Sequence, residues 1–268
     1  MNTIDEIKKL DDHFFELVKE NTNCIVQQIQ KSNMPLTGEE LINSIGRILS
    51  LKNGIFVLEE DNNFYCINIL YRACIESFLK AFYIWLKAIQ AKDDSFIIKY
   101  REINLIKEYI TPLHKELKKV GLSRRKTYQA LQEKDPLLKK YNFDDFSKYE
   151  SQFTYTHIIE ELSLFLGSKD IPVHFLHTIL SEYDELSSFV HGGTTSIIET
   201  TNFFKHLEDT HNGAEVNEIK NKIKMSVLMF MQLWTLILIV LYQKEKNEQI
   251  AKFYNNTNKM IKKLSALS

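Results

Sequence analysis

MSVLMFMQLWTLILIVLY, residues 225–242, runs for eighteen residues without a charge. That length is just enough to raise a membrane span. It is equally the signature of a helix enclosed at the centre of a large bundle, since such a helix is apolar on every face. Ser226, Gln232 and Thr235 interrupt the run, its length sits at the lower limit for a span, and no second apolar run of this kind accompanies it. The buried central helix is the expected reading and a membrane is not the expected partner. The fold expected is all-α, a multi-helix bundle with a long, strongly apolar C-terminal helix.

Composition points the same way. The chain has 268 residues, 44% hydrophobic and 26% charged, with only eight glycines and four prolines. An all-β chain of this length would need many more turn residues, so the shortage favours long helices. A net charge of −1 gives no overall attraction for polyanions. Cys24, Cys66 and Cys74 are odd in number and lack C-x-x-C spacing, which suggests neither a disulfide framework nor a zinc site. Met1–Glu20 is amphipathic and studded with acids, without the basic start and apolar run of a signal peptide. A cytoplasmic protein is expected.

The periodicity predicts a single helical domain over 1–268, with a more polar segment at about 122–150 that reads as an insertion of short helices. A first helix covers 3–30, with Ile4, Ile7, Leu10, Phe14, Leu17 and Val18 on one stripe. Thr37 and Glu40 form a capping-box signature for a second helix ending near Asn53-Gly54. Asp61 is placed to start a third, running to about Gln90. Asp93 or Asp94 is placed to cap a fourth, which ends near Gly121 with Pro112 positioned to kink it. Tyr155–Leu166 and a segment opened by Asp170 and Pro172 and stopped by His191-Gly192-Gly193 follow. One long helix is expected from about Glu215 towards Leu264.

Two constellations carry chemistry. Between Ile67 and Lys87, positions Asn68, Arg72, Glu76 and Lys80 are spaced by four, so they form one narrow polar stripe on an otherwise apolar helix. The stripe is either a water-facing edge bearing an ordinary Arg72–Glu76 ion pair or the wall of an internal polar pocket. The second constellation is YDELSSFVHGG, residues 183–193. It puts Asp184, Ser187, Ser188 and His191 on or near one helix face, ending where two glycines allow a sharp turn. A histidine at a helix C-terminus is favoured in its charged form, so His191 is suited either to proton donation or to structural capping.

The segments LYRACIESFLKAFYIW (70–85) and ELSSFVHGG (185–193) resemble a group of uncharacterised bacterial helical proteins with an early Arg-x-x-x-Glu helix and a late Ser-x-x-x-His-Gly turn. That group in turn resembles the HEPN superfamily of small helical bundles. Many HEPN proteins are metal-independent endoribonucleases of toxin–antitoxin and phage-defence systems. The two motifs cover about a tenth of the chain. The resemblance implies His191, Arg72 and Glu76 as catalytic residues and Asn68, Ser187 and Ser188 as pocket residues. It also implies RNA as substrate, a homo-oligomer, and a protein partner encoded nearby. The chain departs from the pattern upstream of His191, where catalytic relatives carry an arginine and this sequence has Asp184, Glu185 and Leu186. An acidic side chain there opposes the charge stabilisation an arginine supplies, so Arg72 would have to provide it from a neighbouring helix. The alternative expectation is a non-catalytic helical module that binds a protein partner or a regulatory ligand in the same pocket.

Elsewhere, residues 99–140 hold twelve Lys or Arg against five acids, and Lys118, Lys119, Arg124, Arg125 and Lys126 are the candidate surface for RNA. His174 with His177, and Glu208 with His211, lack the further ligands a metal site needs, so no metal is expected. Nucleophile-elbow, phosphate-loop and dinucleotide signatures are missing, and no cofactor is expected. The purified protein should be strongly helical by circular dichroism and soluble without detergent. A β-dominated spectrum, or recovery only with membranes, would contradict this reading.

Overall fold

The computed structural model describes residues 3–61, 63–167, 174–190, 213–242 and 247–267, with backbone only at 174, 188–190, 213–215 and 242. Every element among them is a helix: α1 Thr3–Lys31, α2 Pro35–Glu60, α3 Phe64–Ala91, α4 Ser95–Lys118, α5 Arg124–Gln132, α6 Pro136–Lys139, α7 Phe143–Gln152, α8 Tyr155–Gly167, α9 His174–Val190, α10 Gly213–Tyr242 and α11 Glu248–Ser265. The all-α bundle expected from the sequence is what these residues form.

α10 sits at the centre, in contact with α1, α2, α3 and α11. Val227, Met229, Met231, Leu233 and Leu238 are completely buried although they point in different directions around the helix. That enclosure is why the run lacks charges. Val216–Leu241 has the length and hydropathy of a membrane-crossing helix, yet 78% of its most apolar window is buried inside the bundle. Pro35–Glu60 meets the same length and hydropathy test with 33% buried. Two of the polar interruptions in α10 are satisfied within the helix. Ser226 Oγ donates to the Ile223 carbonyl at 2.7 Å, and Thr235 Oγ1 to the Met231 carbonyl at 3.2 Å. Phe14 of α1 packs edge-on against Phe230 at 5.5 Å and stacks with Phe253 of α11 at 6.2 Å. Each such buried ring contributes about 1.5–3 kcal/mol relative to exposure.

Several boundaries differ from the sequence expectation, each for a visible reason. α2 does not stop at Asn53-Gly54 but continues to Glu60. Gly54 lies within the helix and faces α3, where a Cβ would come within 2.8 Å of the movable Leu70 Cδ1. The Thr37–Glu40 capping box does not form. Instead Asp94, from the turn between α3 and α4, accepts hydrogen bonds from the backbone N–H groups of Leu36 and Thr37 and from Thr37 Oγ1, at 2.8, 2.9 and 2.7 Å. Asp93 takes the local role at the start of α4, accepting from Ser95 N at 2.8 Å. α3 is capped by Asn63 rather than opened at Asp61. Pro112 lies inside α4, which ends at Lys118, and Gly121 adopts φ +82° just beyond it. The expected helix from Glu215 to Leu264 is two helices, the second capped by Asn247, whose side chain accepts from Gln249 N and Ile250 N. The expectations for Asp170, Pro172 and His191-Gly192-Gly193 lie outside the described residues.

The polar segment 122–150 folds as α5, α6 and α7 against α4. They share a small apolar cluster of Ile103, Ile106, Ile110, Tyr128, Leu138, Tyr141 and Phe146, apart from the main core. The Tyr128 hydroxyl is shared between the carbonyls of Tyr141 and Leu138, at 2.9 and 3.2 Å.

Because one carboxylate caps α2 from a distant turn, Asp94→Ala should lower stability by about 1–2 kcal/mol, at the upper end of the range for lost N-caps. Urea denaturation read by circular dichroism checks this. A change below about 0.3 kcal/mol would mean that water replaces the cap without penalty.

Candidate functional site

α3 is enclosed by α2 and α10 on one side and by α4, α8 and α9 on the other. So placed, the helix buries the first half of its polar stripe and leaves the second half partly open. Asn68 is 2% exposed and Arg72 9% exposed, while Glu76 is part-buried and Lys80 lies 4.9 Å from the Tyr100 ring centroid. The stripe is thus buried at Asn68 and Arg72, while the expected Arg72–Glu76 ion pair forms with Glu76 still partly exposed.

The stripe looks towards α9 and α8. Tyr71, beside it on α3, donates its hydroxyl hydrogen bond to the Glu182 carboxylate of α9. Arg72 Nε donates to Glu76 Oε1 at 3.0 Å, and its guanidinium carbon lies 5.6 Å from the Tyr183 ring centroid. Tyr183 meets Tyr155 of α8 at 5.8 Å between centroids. Glu182 also feels Lys222 of α10, which pairs with Glu218 and lies 4.3 Å from the Phe64 ring centroid. Four helices, α3, α8, α9 and α10, thus deliver acids, bases and tyrosines to one seam.

Two atoms in the seam lack hydrogen-bond partners among the described residues: Arg72 Nη1 and Asn68 Oδ1. They belong to residues one helical turn apart on the same face. Leaving a charged donor unpaired at a buried position costs about 1–3 kcal/mol or more. The seam therefore presents a cationic donor beside an acceptor.

Burial sets the protonation states. It raises Tyr71 well above the ordinary tyrosine range, with the Glu182 charge adding to the effect. Burial also raises Tyr155, helped by the Glu76 charge, and Tyr183, where Arg72 opposes the shift. All three hydroxyls are therefore proton-bearing donors at neutral pH. Burial pushes Glu182 upward against the opposing pull of the Tyr71 hydrogen bond and Lys222.

Of the sequence-derived candidates, Asn68, Arg72 and Glu76 share this seam. Ser187 is half-buried on α9, one turn beyond Tyr183. Ser188 belongs to α9, but its side chain is not among those described, and His191 lies outside the described residues, so the expected Arg72–His191 pairing does too. Among the described residues no three His, Cys, Asp or Glu side chains form a group able to hold a metal ion.

The basic candidates lie on the α4–α7 unit. Lys118, Lys119, Arg125 and Lys126 are exposed and Arg124 is half-exposed. Arg124 makes a bidentate pair with Glu150 at 2.6 and 2.8 Å, and Arg125 makes one with Asp144. Lys119 pairs with Glu116 at 2.7 Å. Much of this charge is neutralised within the unit.

One charged pair was not anticipated from the sequence. Lys52 of α2 is buried and donates to Asp11 of α1. The available signal was positional: Lys52 continues the Ile45–Ile48 buried stripe, and Asp11 sits between Leu10 and Phe14 on the apolar face of α1. A charge on a core-facing position needs a buried partner.

Glu182 binds its proton more tightly in the folded than in the unfolded chain. Its contribution is therefore fully present below the ordinary carboxylate range and is lost as pH rises through the raised folded value. Wild type should lose stability relative to Glu182→Gln as pH rises above the ordinary glutamate value of about 4.3. Parallel stability–pH curves for the two proteins would contradict the assignment.

No family model matches this chain, and no curated protein or solved structure is significantly similar to it.

Proposed function

We propose that this chain is a HEPN-like protein of a bacterial defence or toxin–antitoxin type system, cytoplasmic, acting on RNA at the seam between α3 and α9. The observation that supports this most is the buried Arg72 guanidinium, held by Glu76 through Nε, with Nη1 uncommitted among the described residues and set against α9. In this reading Arg72 substitutes for the arginine that the chain lacks before His191, where Asp184 and Glu185 stand instead. It would neutralise the charge that develops on the phosphate oxygens. The neighbouring RNA 2′-hydroxyl would attack the phosphorus and lose its proton to water as the P–O5′ bond breaks, with His191 protonating the leaving 5′-oxygen and a cyclic 2′,3′-phosphate remaining. Ser187 and Ser188 would border the bound phosphate, and Lys118 and Lys126 would add attraction for the backbone. Self-association and a protein partner encoded beside the gene belong to the same proposal.

A second reading, a non-catalytic module that binds a protein partner or a regulatory ligand, draws on a different observation. Arg124 and Arg125 are engaged by Glu150 and Asp144, which reduces the surface charge available to gather RNA.

Incubation with labelled single-stranded RNA in the presence of a chelator separates the two. The first reading expects cleavage by wild type and a loss of about a hundredfold or more in His191→Ala, with helicity unchanged. Arg72→Lys should impair cleavage comparably, because an ammonium cannot satisfy Glu76 and the phosphate together. Intact RNA with wild type, and equal growth of cells expressing wild type and His191→Ala, would transfer the assignment to the second reading.

A further inference from the structure

The polar stripe of α3 continues past Glu76 to Lys80, into the half of the seam that solvent reaches. Arg47 of α2, an exposed residue, comes to the same place. α2 and α3 run antiparallel across the short link at 61–63, and Gly54 faces Leu70. Counting from Gly54 back to Arg47, and from Leu70 on to Ser77, covers the same helical rise. Arg47 therefore stands level with the turn from Glu76 to Lys80. It also shares a face of α2 with Glu40, which Arg101 of α4 binds at 3.4 Å, so this face looks along the groove towards α4.

The acids nearby are committed elsewhere. Glu76 pairs with Arg72, Glu39 and Glu40 with Arg101, and Glu161 with Lys87. Arg47 and Lys80 are left without a carboxylate among the described residues. Lys80 Nζ lies 4.9 Å from the Tyr100 ring centroid, a contact that steadies the ammonium without consuming its N–H donors. Unlike Arg72 Nη1, it is not shut away from solvent. Tyr155 of α8 borders the same opening and is partly exposed. Burial raises its hydroxyl, the Glu76 charge adds to this and Arg47 opposes it, which puts that guanidinium within electrostatic range of the ring.

Two cations from different helices, with a hydroxyl beside them, suit a ligand group with three oxygens and more than one negative charge. A phosphate monoester has both, and a carboxylate has neither. We propose that the open half of the α3 stripe binds a phosphate monoester, with Arg47 and Lys80 on its oxygens and Tyr155 at its side. A free nucleotide carries this group, and so does the 5′ end of an RNA strand; only the second source rests on the RNA reading above.

Calorimetric titration of the full chain at low ionic strength tests this with adenosine 5′-monophosphate and with a short 2′-O-methylated RNA bearing a 5′-phosphate, which lacks the nucleophile for cleavage. Saturable binding of one of them is expected, with adenosine and the 5′-hydroxyl strand weaker by roughly tenfold or more. Tighter binding of the nucleotide would assign the site to a free phosphate ester, and tighter binding of the strand to an RNA end. Arg47→Glu and Lys80→Gln should each weaken binding roughly tenfold or more with helicity unchanged. Lys252→Glu, at an exposed position on α11 outside the seam, should leave it unchanged. Failure of both probes to saturate, or equal weakening by Arg47→Glu and Lys252→Glu, would overturn the proposal. The two ideas fail separately: intact RNA with wild type defeats the catalytic reading and leaves this site standing, whereas normal cleavage with unchanged probe affinity in Arg47→Glu defeats this site alone.

Discussion

Enclosure of α3 and α10 is the constraint on which the rest of the structure depends. Along the middle of both helices little surface is left for water, so a polar group buried there stays costly unless another helix or its own backbone satisfies it. α10 answers by carrying no charge over 225–242 and by folding its Ser226 and Thr235 hydroxyls back onto its own carbonyls. α3 answers differently: its stripe of Asn68, Arg72 and Glu76 is met by α8 and α9. The contrast makes the α3–α9 seam the distinctive place in the bundle, because burying an arginine is costly unless its hydrogen bonds are completed.

The buried cations share a design in which each has one carboxylate partner. Arg72 has Glu76 at Nε, Lys222 has Glu218, and Lys52 has Asp11. Aromatic rings cover the remaining faces, Tyr183 over Arg72, Phe64 over Lys222, and Phe56 with Phe230 around Lys52. Such packing stabilises a desolvated cation without a second carboxylate. It leaves the core close to neutral while concentrating strong local fields at two seams, α3–α9 and α1–α2.

The surface basic run behaves in the opposite way. Arg124 and Arg125 form forked pairs with Glu150 and Asp144, and they also lie over Phe146 and Phe143 at 5.4 and 4.9 Å. These arginines tie α5 to α7 in a unit whose own apolar cluster is small. A run of positive charge read along the chain thus becomes, in space, largely internal cross-linking of short helices, with Lys118 and Lys126 left at the surface.

The sequence by itself determined the all-α class, the apolar run of residues 225–242 and the apolar stripe of α1, because each follows from local periodicity and composition, while the burial of 225–242 inside the bundle came from the tertiary structure. It also located the polar stripe of α3, since spacing by four residues is a property of the helix alone. Only the tertiary structure decided which way that stripe faces, that Arg72 meets Tyr183 rather than water, and that Lys52 has Asp11 beneath it. It alone showed that Asp94 caps α2 instead of α4, and that α2 runs on past Gly54. The physical reason is common to all of these. A cap, an ion pair or a close approach between residues 41 or 58 positions apart depends on where two helices cross, and nothing in either segment's own pattern encodes its partner.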